Sequence, residues 1–242
     1  MLQIESLHKS FGGLAVTNGL DLHVHTGELR CIIGPNGAGK TTLFNLITGK
    51  DKPDSGRILI HGGNLVGRRV YQIARLGVSR KFQSPSAFED LTVRENLLLA
   101  ATGRNSILNL LRNRRGASDA GIDDILARLE LAEAGGRRAH DLSHGQKQWL
   151  EIGMVLLTQP DVVLLDEPTA GMTLAETAKT ASLIRSLLRG KTTIVIEHDI
   201  AFIRQLGARI TVLYRGKVMC EGSFDEIAAN QEVRRIYLGE DL

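Results

Sequence analysis

An α/β fold around a parallel sheet is what this 242-residue sequence predicts, and three stretches carry the prediction. Gly34-Pro-Asn-Gly-Ala-Gly-Lys-Thr-Thr42 lies between an apolar strand-like run, Leu29 to Ile33, and an amphipathic helix-like run, Leu43 to Gly49. Val162 to Leu165 is a continuous apolar run, the pattern of a strand buried on both faces of a parallel sheet. Leu2 and Ile4, then Leu20, Leu22 and Val24, alternate instead, as strands with a single buried face do, and Gly12-Gly13 and Gly27 punctuate them as turns.

The first stretch also carries chemistry. Gly34, Gly39, Lys40 and Thr41 fill a G-x4-G-K-[ST] phosphate-binding pattern in the strand-then-helix context that the pattern demands. Glycines let successive backbone N–H groups turn inward onto one anion, and the helix behind them adds its positive end. Asn36, Gly37, Ala38 and Thr42 belong to the same cradle. Lys40 is expected to place a point charge on the β- and γ-phosphates, and the Thr41 hydroxyl is available to Mg²⁺.

Composition narrows the class. With 43% hydrophobic residues the chain can bury a large core, either as one domain or as one domain with an inserted subdomain. Net charge is +3 and aromatics are 4%, so the basic excess is mild and lacks the stacking residues of a nucleic-acid binder. No apolar run approaches the roughly 18 to 20 residues of a membrane span, and Met1-Leu-Gln-Ile-Glu-Ser lacks the order of a signal peptide, so a cytosolic location is expected. Cys31 and Cys220 fall in apolar strand-like runs and are expected to be small buried hydrophobes.

Along the chain, Phe11 stands just before Gly12-Gly13. It can stack on a planar base with Val16 beside it, or pack in the core near a turn, and the residues alone favour the core. Leu43, Phe44, Leu46 and Ile47 make a helix face ending at Gly49; Arg57 to Ile60 predicts a strand and Val70 to Leu76 a helix. Val78 to Phe82 alternates like a strand and delivers Gln83 to a loop, where a glutamine by itself carries little signal. Thr92 and Glu95 form a capping-box pattern, and the basic amphipathic stretch from Gly103 to Gly116 suits a solvated face over an apolar seam better than a membrane surface. Ser118 to Leu131 predicts another helix.

Ser143 and Gln146 have the spacing of a capping box before a long helix, and the same helix start can seat a second anion. Val162 to Glu167 ends in two carboxylates, placed where a parallel sheet presents functional groups. Asp166 can hold Mg²⁺ through water, and Glu167 can orient and deprotonate an attacking water. Thr173 and Glu176 form one more capping box, Thr192 to Ile196 a second buried strand, and Glu197-His198-Asp199 follows it; a histidine there is more often structural, though suited to a γ-phosphate. Arg209 to Tyr214 and Lys217 to Cys220 read as a hairpin around Arg215-Gly216, and Ser223 caps a last helix.

Taken together, Phe11, Gly34 to Thr41, Gln83, Leu142-Ser-His-Gly-Gln146, Val162 to Glu167 and His198 resemble the ATP-binding-cassette ATPases over essentially the whole chain. The five-residue segment at Leu142 is the specific part. The resemblance implies a P-loop NTPase core with an N-terminal antiparallel β subdomain and an α-helical subdomain at roughly 84–158, all in one domain spanning 1–242. It implies ATP and Mg²⁺ as cofactors, Phe11 and Val16 against adenine, and Gln83, Glu167 and His198 in catalysis, with Thr41, Gln83 and Asp166 around the metal. It also implies that Ser143, Gly145 and Gln146 bind the γ-phosphate held by an opposite cassette subunit.

Within that family, Phe11 to Val16, the segment after Asn96-Leu-Leu-Leu99 and Ile236-Tyr-Leu-Gly239 resemble the ATPases of branched-chain amino-acid importers. Leu142 to Gly153 with Ala170-Gly-Met-Thr173 is similar to their urea-type subgroup. The expected partners are two membrane permeases, an external solute-binding protein and a second, non-identical cassette, because Thr169-Ala-Gly-Met-Thr173 lacks an Asp that many cassettes carry there. The implied location is the cytoplasmic face of the inner membrane, and the cargo expected is urea or a short amide first, branched-chain amino acids second.

Overall fold

The computed structural model describes residues 1–81, 87–102 and 117–238, with 117–120 and 237–238 as backbone alone. Gln83, Gly239 and the basic segment 103–116 lie outside the described residues.

In chain order the elements are β1 (Leu2–Phe11), β2 (Leu14–Val24), β3 (Leu29–Ile33), α1 (Lys40–Thr48), β4 (Ser55–Ile60), β5 (Gly63–Asn64), α2 (Val70–Arg75) and β6 (Val78–Lys81). Then follow α3 (Val93–Thr102), α4 (Ala117–Arg128), α5 (His144–Leu157), β7 (Val162–Asp166), α6 (Leu174–Leu187) and β8 (Thr192–Ile196). The chain closes with α7 (Ile200–Leu206), β9 (Arg209–Tyr214), β10 (Lys217–Gly222), α8 (Phe224–Ala229) and α9 (Gln231–Leu238).

Two sheets result. The N-terminal one is antiparallel, in the order β2-β1-β4-β5. Its β1–β2 hairpin turns at Gly12 and Gly13, whose φ of +53° and +88° are the left-handed pair that a tight two-residue turn requires. The second sheet has the order β10-β9-β3-β8-β7-β6, and its strands pair in parallel except β10 against β9. The short β5 carried no sequence signal, being two residues after a turn.

The apolar runs of the parallel strands are explained by their two faces. Ile32, Leu164 and Ile194 pack with Phe44 of α1 and with Leu2, Ile4 and Leu22 of the antiparallel sheet. Their neighbours Ile33, Leu165 and Val195 point the other way, into Leu150, Ile184 and Phe202 of α5, α6 and α7. Because successive strand residues alternate sides, a strand covered on both faces must be apolar throughout.

Helix α5 also holds α4 and α3. A Cβ at Gly153 would stand 2.5 Å from a Leu129 methyl and 3.2 Å from methyls of Ile125 and Leu97, so the missing side chain lets these three side chains pack close against α5. The capping boxes at Ser143, Thr173 and Ser223 all form, each with side chain and backbone exchanging hydrogen bonds. Thr92 and Glu95 exchange theirs at the start of α3.

Two expectations are corrected here. Phe11 is not a core residue: it is 47% exposed at the end of β1, with Lys9 Nζ 5.0 Å from its ring centre. Cys31 is buried as expected, but Cys220 sits only half-buried on β10, the strand at the sheet margin; both are free thiols.

Candidate nucleotide site

Strands β3, β8 and β7 are neighbours, so their C-terminal ends place three loops side by side: Gly34 to Gly39, Glu167 onward and Glu197-His198. The topology thus brings the phosphate loop, the paired carboxylates and the histidine to one edge. Gly34 and Gly39 are forced by close approach, since a Cβ at either would stand 2.4 Å from the Leu213 carbonyl oxygen or 2.7 Å from that of Val16. Val16, from β2, is therefore packed directly on the loop.

Helix α1 starts from Gly39 in the left-handed region, with no side chain capping its first N–H groups. Lys40 Nζ donates to the carbonyls of Gly34 at 2.6 Å and Pro35 at 3.0 Å, spanning the loop's concave side. Burial lowers its pKa from the ordinary lysine value, while Glu167 and Asp166 act in the opposite direction, which places both carboxylates within its electrostatic reach. Asn36, Gly37 and Thr41 are exposed, Thr42 half-buried and Ala38 buried.

Asp166 is buried and its Oδ2 accepts from Arg80 Nη2 at 2.6 Å; Arg80 Nη1 also reaches Asn45 Oδ1 at 2.7 Å. A carboxylate and a hydroxyl, as at Asp166 and Thr41, are oxygen donors of the kind that suits Mg²⁺ alongside phosphate oxygens. Glu167 adopts φ of +46°, a left-handed conformation costly for a residue with a Cβ, and strain of this sort concentrates at working sites. Its carboxylate lies 3.5 Å from His198 Nδ1, and its backbone N–H is held by the Ile196 carbonyl at 2.9 Å. The Glu167 and His198 side chains are 27% and 68% accessible, open to water and ligand.

Behind them, Glu197 is 1% exposed and accepts three hydrogen bonds, from the Thr169 hydroxyl at 2.6 Å and the backbone N–H groups of Thr169 and His198 at 3.0 Å. It ties the loop after Glu167 to the loop carrying His198. Arg80, Asn45, Thr169 and Glu197 were not singled out from the sequence as site residues. Polar residues in or beside apolar strands were the available signal.

Ser143 caps α5, whose first turn carries Gly145 and Gln146, and His144 beside them reaches the loop after Glu167. His144 Nε2 lies 2.8 Å from the Ala170 carbonyl. The Ser143 hydroxyl accepts from Gln146 N–H at 3.2 Å and acts as the helix cap. The Glu176 carboxylate stands over the backbone of Gly145, and its pKa is lowered first by the N–H and hydroxyl of Thr173, with His144 and Gly145 adding to the effect. This helix start already seats an anion of its own chain.

Comparison with known proteins follows the same lines. Residues 17–170 match the model of the ABC transporter family, and residues 217–242 match that of the branched-chain amino acid ATP-binding cassette transporters. The chain is 39% identical to the high-affinity branched-chain amino acid transport ATP-binding protein LivG of Escherichia coli (strain K12), over 99% of this chain and 98% of that one. It is 36% identical to BraF, the corresponding protein of Pseudomonas aeruginosa, with the same coverage. Among solved structures, an ATP-binding cassette of an ABC transporter in its ADP conformation superposes with a TM-score of 0.85 at 31% identity, over 99% of both chains. The chain belongs to the ATP-binding subunits of ABC transporters, in the group of cassettes that includes the branched-chain amino-acid importers, and it is an ATPase with the mixed α/β cassette fold.

Proposed function

We propose that this chain is the ATP-hydrolysing motor of an importer for a small polar solute, working on two membrane permeases fed by an external binding protein. The observation that carries the reading is the single edge where Lys40, Asp166, Glu167 and His198 meet. ATP supplies the phosphoanhydride bond that is cleaved, and Mg²⁺ the countercharge on its phosphates. The loop N–H groups and Lys40 bind the phosphates, and Asp166 with Thr41 would hold the metal. Glu167 takes the proton of the attacking water, and His198 orients Glu167 and faces the γ-phosphate. Phe11, exposed at the end of β1, and Val16, on β2 against the phosphate loop, would take adenine. Ser143, Gly145 and Gln146 would complete the site of a second cassette, with Glu176 giving way to its phosphate.

No helix among the described residues is long and apolar enough to cross a membrane, so coupling to transport requires partners. A cleft of about 300 Å³ lies between the core and the helical segment, lined by Val70, Ile73, Ala74, Ala100, Met154 and Val155. Its position beside β6, the strand leading to Gln83, suits a permease segment whose movement would reach the nucleotide site.

For the cargo, the named relatives and the match at 217–242 favour a branched-chain amino acid. Urea or a short amide is the second reading, resting on Leu142 to Gly153 and Ala170 to Thr173. None of these residues touches the solute, so cargo rests on likeness and not on a site. Uptake of labelled leucine and labelled urea by a strain lacking the gene separates the two. Normal uptake of both, with no second transporter present, overturns the importer assignment.

A further inference from the structure

A cavity of about 270 Å³ opens beside His198, between α7 and the C-terminal helices α8 and α9. Its walls are Ile33, Ile203, Ile210, Phe224, Ile227 and Val233, an apolar lining with Ile200 and Ala228 at the margins. Two further lining groups are polar, His198 and Arg234, and among the described residues no carboxylate lines it. Arg234 is exposed, and among the described residues no ion pair engages its guanidinium. An apolar cavity of about 150 Å³ already accepts a benzene ring, so this one has room for a short branched chain.

We propose that this cavity binds a short branched aliphatic carboxylate, its tail among the isoleucines and its carboxylate on Arg234. Among the described residues the lining has no carboxylate to hold an ammonium group, so a simple or 2-oxo acid is preferred over the amino acid of the same skeleton. Occupancy acts on hydrolysis through position. Ile200 and Ile203 belong to the start of α7, two and five residues after His198, and Ile33 immediately precedes the phosphate loop. A ligand wedged there braces the loop that carries His198 and slows turnover. This site does not depend on which solute is transported.

The test uses isocaproate as probe on the purified full chain, with binding followed by saturation-transfer NMR and phosphate release measured in parallel. Isocaproate is expected to bind with a Kd on the order of 1 mM, as suits a ligand of this size, with acetate, isocaproamide and leucine each at least about tenfold weaker. Ala228→Trp, which fills the cavity margin, abolishes binding, and Arg234→Glu weakens it about tenfold; both keep ATP affinity and melting temperature, which verifies folding. Saturating isocaproate lowers phosphate release by wild type but not by Ala228→Trp. Absent binding, binding equal in Ala228→Trp, or binding without any change in phosphate release overturns the proposal. So does self-association of the chain that Ala228→Trp abolishes, since that result assigns the cavity to a second copy.

Discussion

Lys81 and Glu151 form a buried ion pair whose removal makes a quantitative prediction. Lys81 Nζ lies 3.3 Å from Glu151 Oε2, and the two side chains are 1% and 2% exposed. At an effective dielectric constant of about 20, unit charges at that separation attract by about 5 kcal/mol. Burial alone lowers the Lys81 pKa, and the charge and hydrogen bond of Glu151 are what chiefly oppose that shift. Lys81→Met or Glu151→Leu alone leaves one charge in the interior and is expected to cost about 3 to 5 kcal/mol, while the double substitution recovers most of that loss. For a chain of this length that is a drop in Tm of about 6 to 20 °C for either single variant. Urea unfolding of the four proteins gives the coupling energy directly. Single costs below about 1 kcal/mol, or a double cost equal to the sum of the singles, refute the reasoning. The pair matters beyond stability because it joins β6, which leads to Gln83, to α5, which Ser143 caps.

Other substitutions probe the site itself. Lys40→Ala is expected to weaken ATP binding by roughly 10- to 150-fold, the value of a hydrogen bond between charged groups, and nucleotide titration checks it. His198→Ala is expected to spare ATP affinity and slow hydrolysis, because the contact matters most as charge moves; a lower Tm with unchanged turnover per folded molecule would make His198 structural. Cys31 predicts alkaline behaviour: burial, helped by Glu197, raises its pKa above the ordinary value of 9.0. Above pH 9 the unfolded thiol ionises while the folded one keeps its proton, so stability falls with rising pH, by up to about 1.4 kcal/mol per unit. Unfolding of Cys31→Ala compared with wild type at pH 8 and pH 10 should show the smaller loss in the variant.

The fold was legible where a residue pattern had one physical solution. Val162 to Leu165 had to be covered on both faces, and the capping boxes at Thr92, Ser143 and Thr173 all closed; Ser223 caps a helix as read, though α9 follows it as one helix more. The phosphate loop announced itself because backbone approach leaves only glycine at Gly34 and Gly39. What was not legible depends on contacts between distant strands. Arg80 reads as an ordinary polar strand residue until β6 lies beside β7 and its guanidinium meets Asp166. Glu197 looks like a second solvent-facing acid until the Thr169 loop folds over it. Phe11 was misjudged from its residue type: hydrophobicity suggested the core, and only the hairpin geometry shows it carried outward.

The central claim is that Glu167 accepts the proton of water at a site built by Lys40, Asp166 and His198. Its most direct test is phosphate release from ATP by Glu167→Gln in the cassette assembled with its permeases. The amide still hydrogen-bonds but accepts no proton, so release is expected to fall by about 10²- to 10⁴-fold while ATP remains bound. Release at a near wild-type rate would contradict the account.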